Sequence, residues 1–455
     1  MIPAKDQFPS ASLQKKVTFF IVLASFLIRV IRLDIPHDWS FDEVYHSLSA
    51  EAYALNDHRG YEWWNPSPKD LAWEWLHPPI GKLLMAGSIK LFAKPYIPES
   101  KSAPLDAATT FAWRFPGTIF AALTVWLLIK FGKEMFGSFW IGAVAGALYA
   151  LDGLSFVQSR TGMNDIYVTF FVAFSFYRLY LFLSQYPRRK LINLLWLGIA
   201  TGFGVSTKWT GFYVVGIIFL WVTTFLLKKA DWRNIVWAPI LVGLLPALIY
   251  FFSYGQWWLQ GHTWKQFMEL HQQIWWYQTG LKATHDYQSP ALSWPILMRP
   301  VWFYVKYEDV VKDGAKQLYI GNIYSMGHPL IWWAGLVAII YVFKQVIQRI
   351  WKSTKSAPVL PFLIIATGYL GMFLPWAFSP RIMFMYHYLP SVPFLCLALA
   401  YSLYQLKRTG STGKTAVNVY LVLVGLLFIY FYPHWSALPL PQPWVNQYYW
   451  LRSWK

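Results

Sequence analysis

The chain has 455 residues, of which 56% are hydrophobic, 20% aromatic and only 13% charged. A soluble domain carries nearer a quarter charged residues, so these numbers exclude a string of globular cores coated by polar side chains, and with it disordered, collagen-like and disulfide-framework chains. One cysteine, Cys396, excludes an internal disulfide and a cysteine-rich metal site, and the net charge of +18 has a membrane explanation, because cytoplasmic loops collect Lys and Arg.

About 20 apolar residues cross the hydrocarbon core of a bilayer. Runs of this kind are predicted at 17–33, 112–129, 139–157, 166–183, 191–207, 210–227, 235–252, 329–343, 359–377, 386–404 and 416–432, about eleven in all. Lys15 and Lys16 precede the first run, and Lys130 and Lys133 follow the second. Arg188, Arg189 and Lys190 follow the fourth, and Lys228, Lys229 and Arg233 the sixth. Lys344, Arg349, Lys352 and Lys355 follow the eighth, and Lys407, Arg408 and Lys414 the tenth. Every second gap is short and basic, which predicts a cytoplasmic N-terminus and an outer tail at 433–455. A cleaved signal peptide competes for the first run. Arg29 and Arg32 follow it where a small-residue cleavage site would stand, which favours a retained span.

One membrane domain over 1–455 is expected, an all-α polytopic protein with two long outer loops at 34–111 and 253–328. Both loops are rich in Trp, Tyr, His and Pro, as in Tyr61-Glu62-Trp63-Trp64 and Ile274-Trp275-Trp276-Tyr277. An aromatic belt at the headgroups accounts for many of these. Loops this long on one face place the chemistry there.

The first outer loop opens on Trp39-Ser40-Phe41-Asp42-Glu43. Two readings compete for this acidic pair. It could cap a helix, or it could hold a base whose pKa rises at the water–lipid boundary. His77-Pro78-Pro79-Ile80-Gly81-Lys82 follows, with two prolines fixing the backbone so that His77 and Lys82 sit near the surface. Arg114 opens the second run, Asp165 the fourth, Lys208 lies between the fifth and sixth, and Arg381 between the ninth and tenth. Snorkelling explains any one of these cations. Together Arg114, Lys208 and Arg381 map to one outer depth, against the positive-inside bias, and such a cluster would bind a phosphate. A metal site could draw on Asp42, Glu43, His77 and Asp165, but no Glu-x-x-His or His-x-x-His spacing supports one. Metal independence, with no cofactor, is the expectation.

In sequence order these motifs resemble the protein O-mannosyltransferase family. The resemblance is carried by Phe41-Asp42-Glu43, His77-Pro78-Pro79, Trp113-Arg114, Thr207-Lys208-Trp209-Thr210-Gly211, Tyr287-Gln288-Ser289 with Trp294-Pro295 and Arg299-Pro300, and Tyr386-His387-Tyr388. It implies the GT-C glycosyltransferase superfold with about eleven membrane helices. It implies a polyprenyl-phosphate sugar donor, commonly mannose, and transfer with inversion to Ser or Thr hydroxyls of exported proteins. Asp42 falls on the family's catalytic acid position, with Glu43 its neighbour, while Arg114 and Lys208 fall in donor-side motifs. His77, Asp165, His285, Gln288 and His387 are candidates for sugar or acceptor contacts. Two departures stand out. The loop at 253–328 is too short for the β-trefoil of eukaryotic members, which points to a prokaryotic enzyme of the plasma membrane. Glu74 stands three residues before His77, where many relatives place an Asp two residues upstream, so no role is carried over to it.

A sugar on a lipid phosphate brings its own leaving group. The expected mechanism is therefore one inverting displacement, with Asp42 as base, Glu43 orienting the hydroxyl or sugar, and Arg114, Lys208 and Arg381 stabilising the phosphate. A transferase that modifies a lipid or polysaccharide is the near alternative. A transporter is the distant one, and it lacks the expected midplane polar site and inverted repeats.

Overall fold

The computed structural model describes residues 10–312, 314–351 and 358–455. Lys352 and Lys355 of the eighth basic gap lie outside the described residues.

The chain opens with α1 (Ala11–Val30), α2 (Glu43–Leu55), α3 (Ile80–Phe92) and α4 (Ala107–Phe136). It continues with α5 (Phe139–Ala150), α6 (Gly153–Ser159), α7 (Asp165–Ser184), α8 (Lys190–Val205) and α9 (Gly211–Lys228). Then come α10 (Trp232–Ser253), α11 (Trp264–Gly280), α12 (Pro329–Trp351), α13 (Leu360–Phe378), α14 (Met385–Lys407) and α15 (Ser411–Trp435). Among the described residues nine of these are long and apolar enough to cross a membrane: α1, α4, α7, α9, α10 and α12 to α15. The pair α5 and α6, bent by 61°, makes a tenth if the two are counted as one broken span. The eleventh expected run is α8, apolar throughout but only 16 residues long.

The run expected at 139–157 breaks because Asp152 interrupts it. Its carboxylate accepts from the backbone N–H of Ser155 (2.9 Å), the N–H of His328 (3.1 Å) and Trp332 Nε1 (2.7 Å), so the freed donors of the new helix start find a buried partner. In α10, Pro239 and Pro246 remove backbone donors, and a π turn runs over Pro239–Leu244.

Lipid tails are as apolar as leucine, so membrane helices associate by close packing rather than by hydrophobic exclusion. The α4–α5 contact shows this. A Cβ on Gly142 would lie 2.1 Å from the Ile129 carbonyl, and only glycine permits that approach.

The membrane part is helical as expected, but the loop at 253–328 adds β structure. Strands β1 (Val301–Lys312) and β2 (Ala315–Ser325) pair antiparallel, and β3 (Leu440–Pro441) joins the far edge of β2. Val301–Tyr307 alternate poorly in polarity but are rich in aromatic and β-branched side chains, which favour strands. Phe303 falls at the irregularity between Trp302 and Tyr304, where the pairing register shifts. A bulge of this kind re-aims a side chain; the Phe303 ring stacks on Phe41 at 4.7 Å. The second loop is thereby packed against the residue that precedes Asp42.

Candidate active site

Two arginines hold the segment that leads from α1 to Asp42. Arg160 donates to the carbonyls of Arg29 (2.6 Å), Ile31 (2.7 Å) and Arg32 (2.8 Å). These carbonyls lie where a helix end leaves acceptors unpaired. Arg114 donates to the carbonyls of Leu33 (3.2 Å), Asp34 (3.0 Å), Pro36 (2.8 Å) and Asp38 (2.7 Å). Phe41 then adopts φ 54°, a left-handed conformation that is costly for a bulky residue and persists only where packing enforces it. Its ring is held by Phe303, by Phe384 at 5.6 Å and by Tyr386 at 5.9 Å.

Beyond this turn the two carboxylates enter different surroundings. Glu43 is 0% exposed. It accepts from Trp113 Nε1 (2.7 Å), Arg114 Nε (2.7 Å) and Nη2 (2.8 Å), and the backbone N–H groups of Gly162 (2.9 Å) and Ser40 (2.9 Å). The residue expected to bind phosphate and the one expected to orient the hydroxyl bond each other here. Every guanidinium nitrogen of Arg114 is committed inside the protein, so Arg114 has no donor left for a phosphate. Glu43 has no free lone pair with which to orient a hydroxyl. The pair is a buried clasp that fixes the Asp42 turn.

Asp42 is half-buried and directly precedes α2, yet its carboxylate caps no N–H of that helix. Its hydrogen-bond partner is the Tyr386 hydroxyl, at 3.4 Å. Burial pushes the Asp42 carboxyl above the usual carboxylate range, with His46, Lys208 and the Tyr386 bond opposing and Asp165 adding to the rise. The capping alternative therefore lacks its hydrogen bond, while the features of a base are present.

Lys208 is 7% exposed, and its Nζ bonds both oxygens of Asp165, at 2.8 and 2.9 Å. It also lies 5.6 Å from the Tyr386 ring centroid, so Tyr386 touches both Asp42 and Lys208. The chain turns tightly from Lys208 into α9, and a Cβ on Gly211 would meet the Val205 nitrogen at 2.5 Å. Asp165 is thus the counter-ion of Lys208. Lys208 keeps one of its three N–H groups beyond those two bonds.

Arg381 is half-buried, bonded to Gln278 and placed 5.6 Å from the Tyr277 ring. The Tyr277 phenol is pushed up by burial, with Arg381 opposing and Asp42 adding, so it stands within electrostatic reach of both. His387 is buried against Trp376 (4.2 Å between centroids) and Tyr386 (4.5 Å), and its Nδ1 meets the Phe384 carbonyl at 2.9 Å. His285 is exposed at the rim, 6.0 Å from the Phe41 ring. Gln288 is exposed too, and joins His285 through its backbone N–H to the His285 carbonyl (3.0 Å).

His77 comes to the cluster with a partner that its sequence motif did not indicate. Its Nδ1 lies 2.7 Å and its backbone N–H 3.0 Å from Glu74 Oε1. Lys82, expected near the surface with His77, is fully buried instead and bonds Glu74 Oε2 and the His77 carbonyl. Burial alone would raise the Glu74 carboxyl, but Lys82 and His77 hold it well below the usual range. Burial also pushes the His77 imidazole down to about 4, with Glu74 opposing and Lys208 adding to the fall. His46 stands 3.7 Å from Glu74 Oε2, with its ring 5.6 Å from that of His77. The sequence reading gave Glu74 no role because its spacing to His77 departs from that of many relatives; the structure places it at the centre of the His77 and Lys82 contacts. No group of three ligating side chains among the described residues could hold a metal ion.

A polar cluster at one end of a bundle of apolar helices, joined to two long loops, is an architecture found in solved membrane proteins. A chain of the protein O-mannosyltransferase Pmt1–Pmt2 complex of Saccharomyces cerevisiae, bound to its sugar donor, matches with a TM-score of 0.80 at 15% identity, over 100% of this chain and 93% of that one. ArnT from Cupriavidus metallidurans, bound to undecaprenyl phosphate, matches with a TM-score of 0.54 at 14% identity, over 90% and 63%. The fold is that of the GT-C membrane glycosyltransferases.

Two family models then cover most of the sequence. The dolichyl-phosphate-mannose-protein mannosyltransferase model matches residues 74–277, and the C-terminal four-transmembrane region of protein-O-mannosyltransferase matches 263–454. The polyprenol-phosphate-mannose–protein mannosyltransferase of Mycolicibacterium smegmatis is 25% identical over 100% of this chain and 96% of its own length. The chain belongs to the protein O-mannosyltransferase family and is a multi-span membrane glycosyltransferase. Between 253 and 328 its described residues form α11 and the β1–β2 hairpin, where eukaryotic members are expected to carry a β-trefoil.

Proposed function

We propose that this enzyme transfers mannose from a polyprenyl-phosphate donor to Ser or Thr hydroxyls of exported proteins, on the outer face of the plasma membrane. The observation that carries the reading is the polar cluster around Asp42. It holds a half-buried carboxylate with no cap to serve, beside a tyrosine that touches both it and a buried lysine.

In the reaction the acceptor oxygen bonds to the anomeric carbon as the bond from that carbon to the phosphate oxygen breaks. The phosphate leaves with the electron pair, and the acceptor proton passes to Asp42. Lys208 and Arg381 stabilise the charge growing on the phosphate, in a site where water is scarce and such help is worth most. Attack opposite the leaving group inverts the anomeric configuration. No metal ion is required, because these two cations supply the charge a metal would bring.

The purified protein, given polyprenyl-phosphate mannose and a Ser/Thr-rich peptide, should form a mannosyl peptide of inverted configuration, and a chelator should leave the rate unchanged. Transfer to lipid alone would replace the reading with that of a lipid-modifying transferase. Cysteines placed at Gln260 and Lys282 should react with an impermeant thiol reagent in intact cells, which tests the orientation.

A further inference from the structure

Glu74, His77 and Lys82 form one hydrogen-bonded cluster, and the His77 ring lies 5.6 Å from that of His46, four residues beyond Asp42. Their hydrogen-bond logic goes further. An ionised carboxylate only accepts hydrogen bonds, whereas a neutral imidazole carries one proton, on either nitrogen. Glu74 Oε1 lies 2.7 Å from His77 Nδ1, so the shared proton must sit on Nδ1. Glu74 cannot drift from this position. Its Oε1 also takes the His77 backbone N–H (3.0 Å), and its Oε2 takes the fully buried Lys82 ammonium, which in turn bonds the His77 carbonyl (2.9 Å). Pro78 and Pro79 then lead directly into α3, which carries Lys82. Nε2 of His77 has no partner among the described residues, and 18% of the side chain is exposed. The charged groups acting on His77 include Lys208 and His46, which also act on Asp42.

We propose that Glu74 is a positioning residue. Through its Oε1–Nδ1 contact it fixes His77 as the Nδ1–H tautomer, so that Nε2 presents a lone pair to a substrate hydroxyl in the Asp42 cleft. Lys82 keeps Glu74 ionised and its second oxygen occupied. The partner on Nδ1 sets what Nε2 can do, as it does for histidines in other catalytic and metal sites. This use of the lone pair rests on the transfer reading of the cleft; the tautomer itself does not.

The test is nitrogen NMR of ¹⁵N-histidine-labelled, full-length protein in detergent at neutral pH, with His77→Gln to identify the resonances. Wild type should show a protonated Nδ1 and a bare Nε2. In Glu74→Gln the amide oxygen faces Lys82 and the amide NH₂ faces Nδ1, so the tautomer should invert. Turnover should fall about 10–100-fold, the scale seen when an orienting partner of a histidine is lost, and Glu74→Asp should restore part of it. Glu74→Gln combined with Lys82→Met removes the buried cation, so a folded protein lacking the clamp can be read even if the single variant fails to fold. A proton on Nε2 in wild type would overturn the proposal. So would wild-type turnover in the folded double variant. An inactive wild type with the Nδ1–H tautomer would instead remove the transfer reading and leave the clamp standing.

Discussion

Both carboxylate oxygens of Glu43 are held by several protein donors, whereas the Asp42 carboxylate, one residue earlier, has a single long bond to Tyr386. Adjacent acids share charge and chain position, yet the turn at Phe41 sends one into a dense set of donors and leaves the other with a single weak one. The cations divide in the same way. Arg114 donates six hydrogen bonds to acceptors within the first loop region, while Lys208 has one counter-ion and touches the ring that bonds Asp42. The lesson is that a charge in a motif is placed by its unused valences rather than by its depth in the membrane.

The largest consequence falls on Asp42. Asp42→Asn should lower turnover about 10²–10⁴-fold, as loss of a general base does, with unchanged thermal stability in detergent. Asn caps helices as well as Asp, so near-wild-type turnover would return Asp42 to the scaffold. The pH profile carries the same logic. The base works only when ionised, and burial raises its carboxyl. Activity should therefore be full above that raised value and fall as pH drops through it, at a higher pH than an ordinary aspartate would give. An acid limb at or below the ordinary aspartate value would contradict the site's electrostatics.

On the scaffold side, Arg114→Met should leave Glu43 buried without its cation. Breaking one partner of a buried pair costs about 3–5 kcal/mol. The yield of monodisperse protein and its melting temperature should fall, while each folded molecule keeps its donor KM. A stable Arg114→Met protein with a raised donor KM would give Arg114 back to the phosphate.

Much of this molecule was readable from residue order. Apolar runs and alternating basic gaps located the helices, because lipid demands that every backbone group be bonded within its own segment. The Asp42-Glu43 pair was readable as a motif. The pairing of Glu43 with Arg114 and of Asp165 with Lys208 was not, since a motif records which charges are present but not which of them cancel. Arg114 and Glu43 are 71 residues apart, and their pairing depends on how α4 packs against the first loop. The hairpin at β1–β2 was hidden for another reason: its aromatic residues match an interfacial belt as well as they match a strand. The break at Asp152 was hidden because an acid inside an apolar run looks like a functional charge until its three partners are seen.

Between scaffold and cleft stands the Lys208–Asp165 pair, where a smaller effect should separate two roles. Lys208→Met should lower kcat/KM for the donor about tenfold to a hundredfold. Asp165→Asn should lose less, because it frees a lysine rather than removing one. Contacting pairs couple by about 0.5–3 kcal/mol in a double-mutant cycle. The double variant should therefore be no worse than Lys208→Met alone. A double variant with the summed loss would show that Asp165 touches substrate in its own right, as the sequence motif had suggested.

The smallest effect is expected at Arg381. Its guanidinium is half-buried, bonded to Gln278 and stacked near Tyr277, with no acidic partner among the described residues. An unpaired cation at this depth costs the fold little to lose, and it can meet an incoming phosphate without first breaking an ion pair. Arg381→Ala should raise the donor KM several-fold while changing kcat by less, because Lys208 remains to meet the charge on the phosphate in the proposed reaction. Arg381→Lys should recover part of the loss, keeping the charge but not the planar fork that suits a phosphate. Gln278→Ala removes only the side chain that holds the guanidinium in place, so it should shift KM in the same direction by a smaller factor. The ordering of these three variants distinguishes a cation that binds donor from one that anchors the loop. If all three lower melting temperature together and leave the donor KM alone, Arg381 belongs with Arg114, and Lys208 is the sole cation of the cleft.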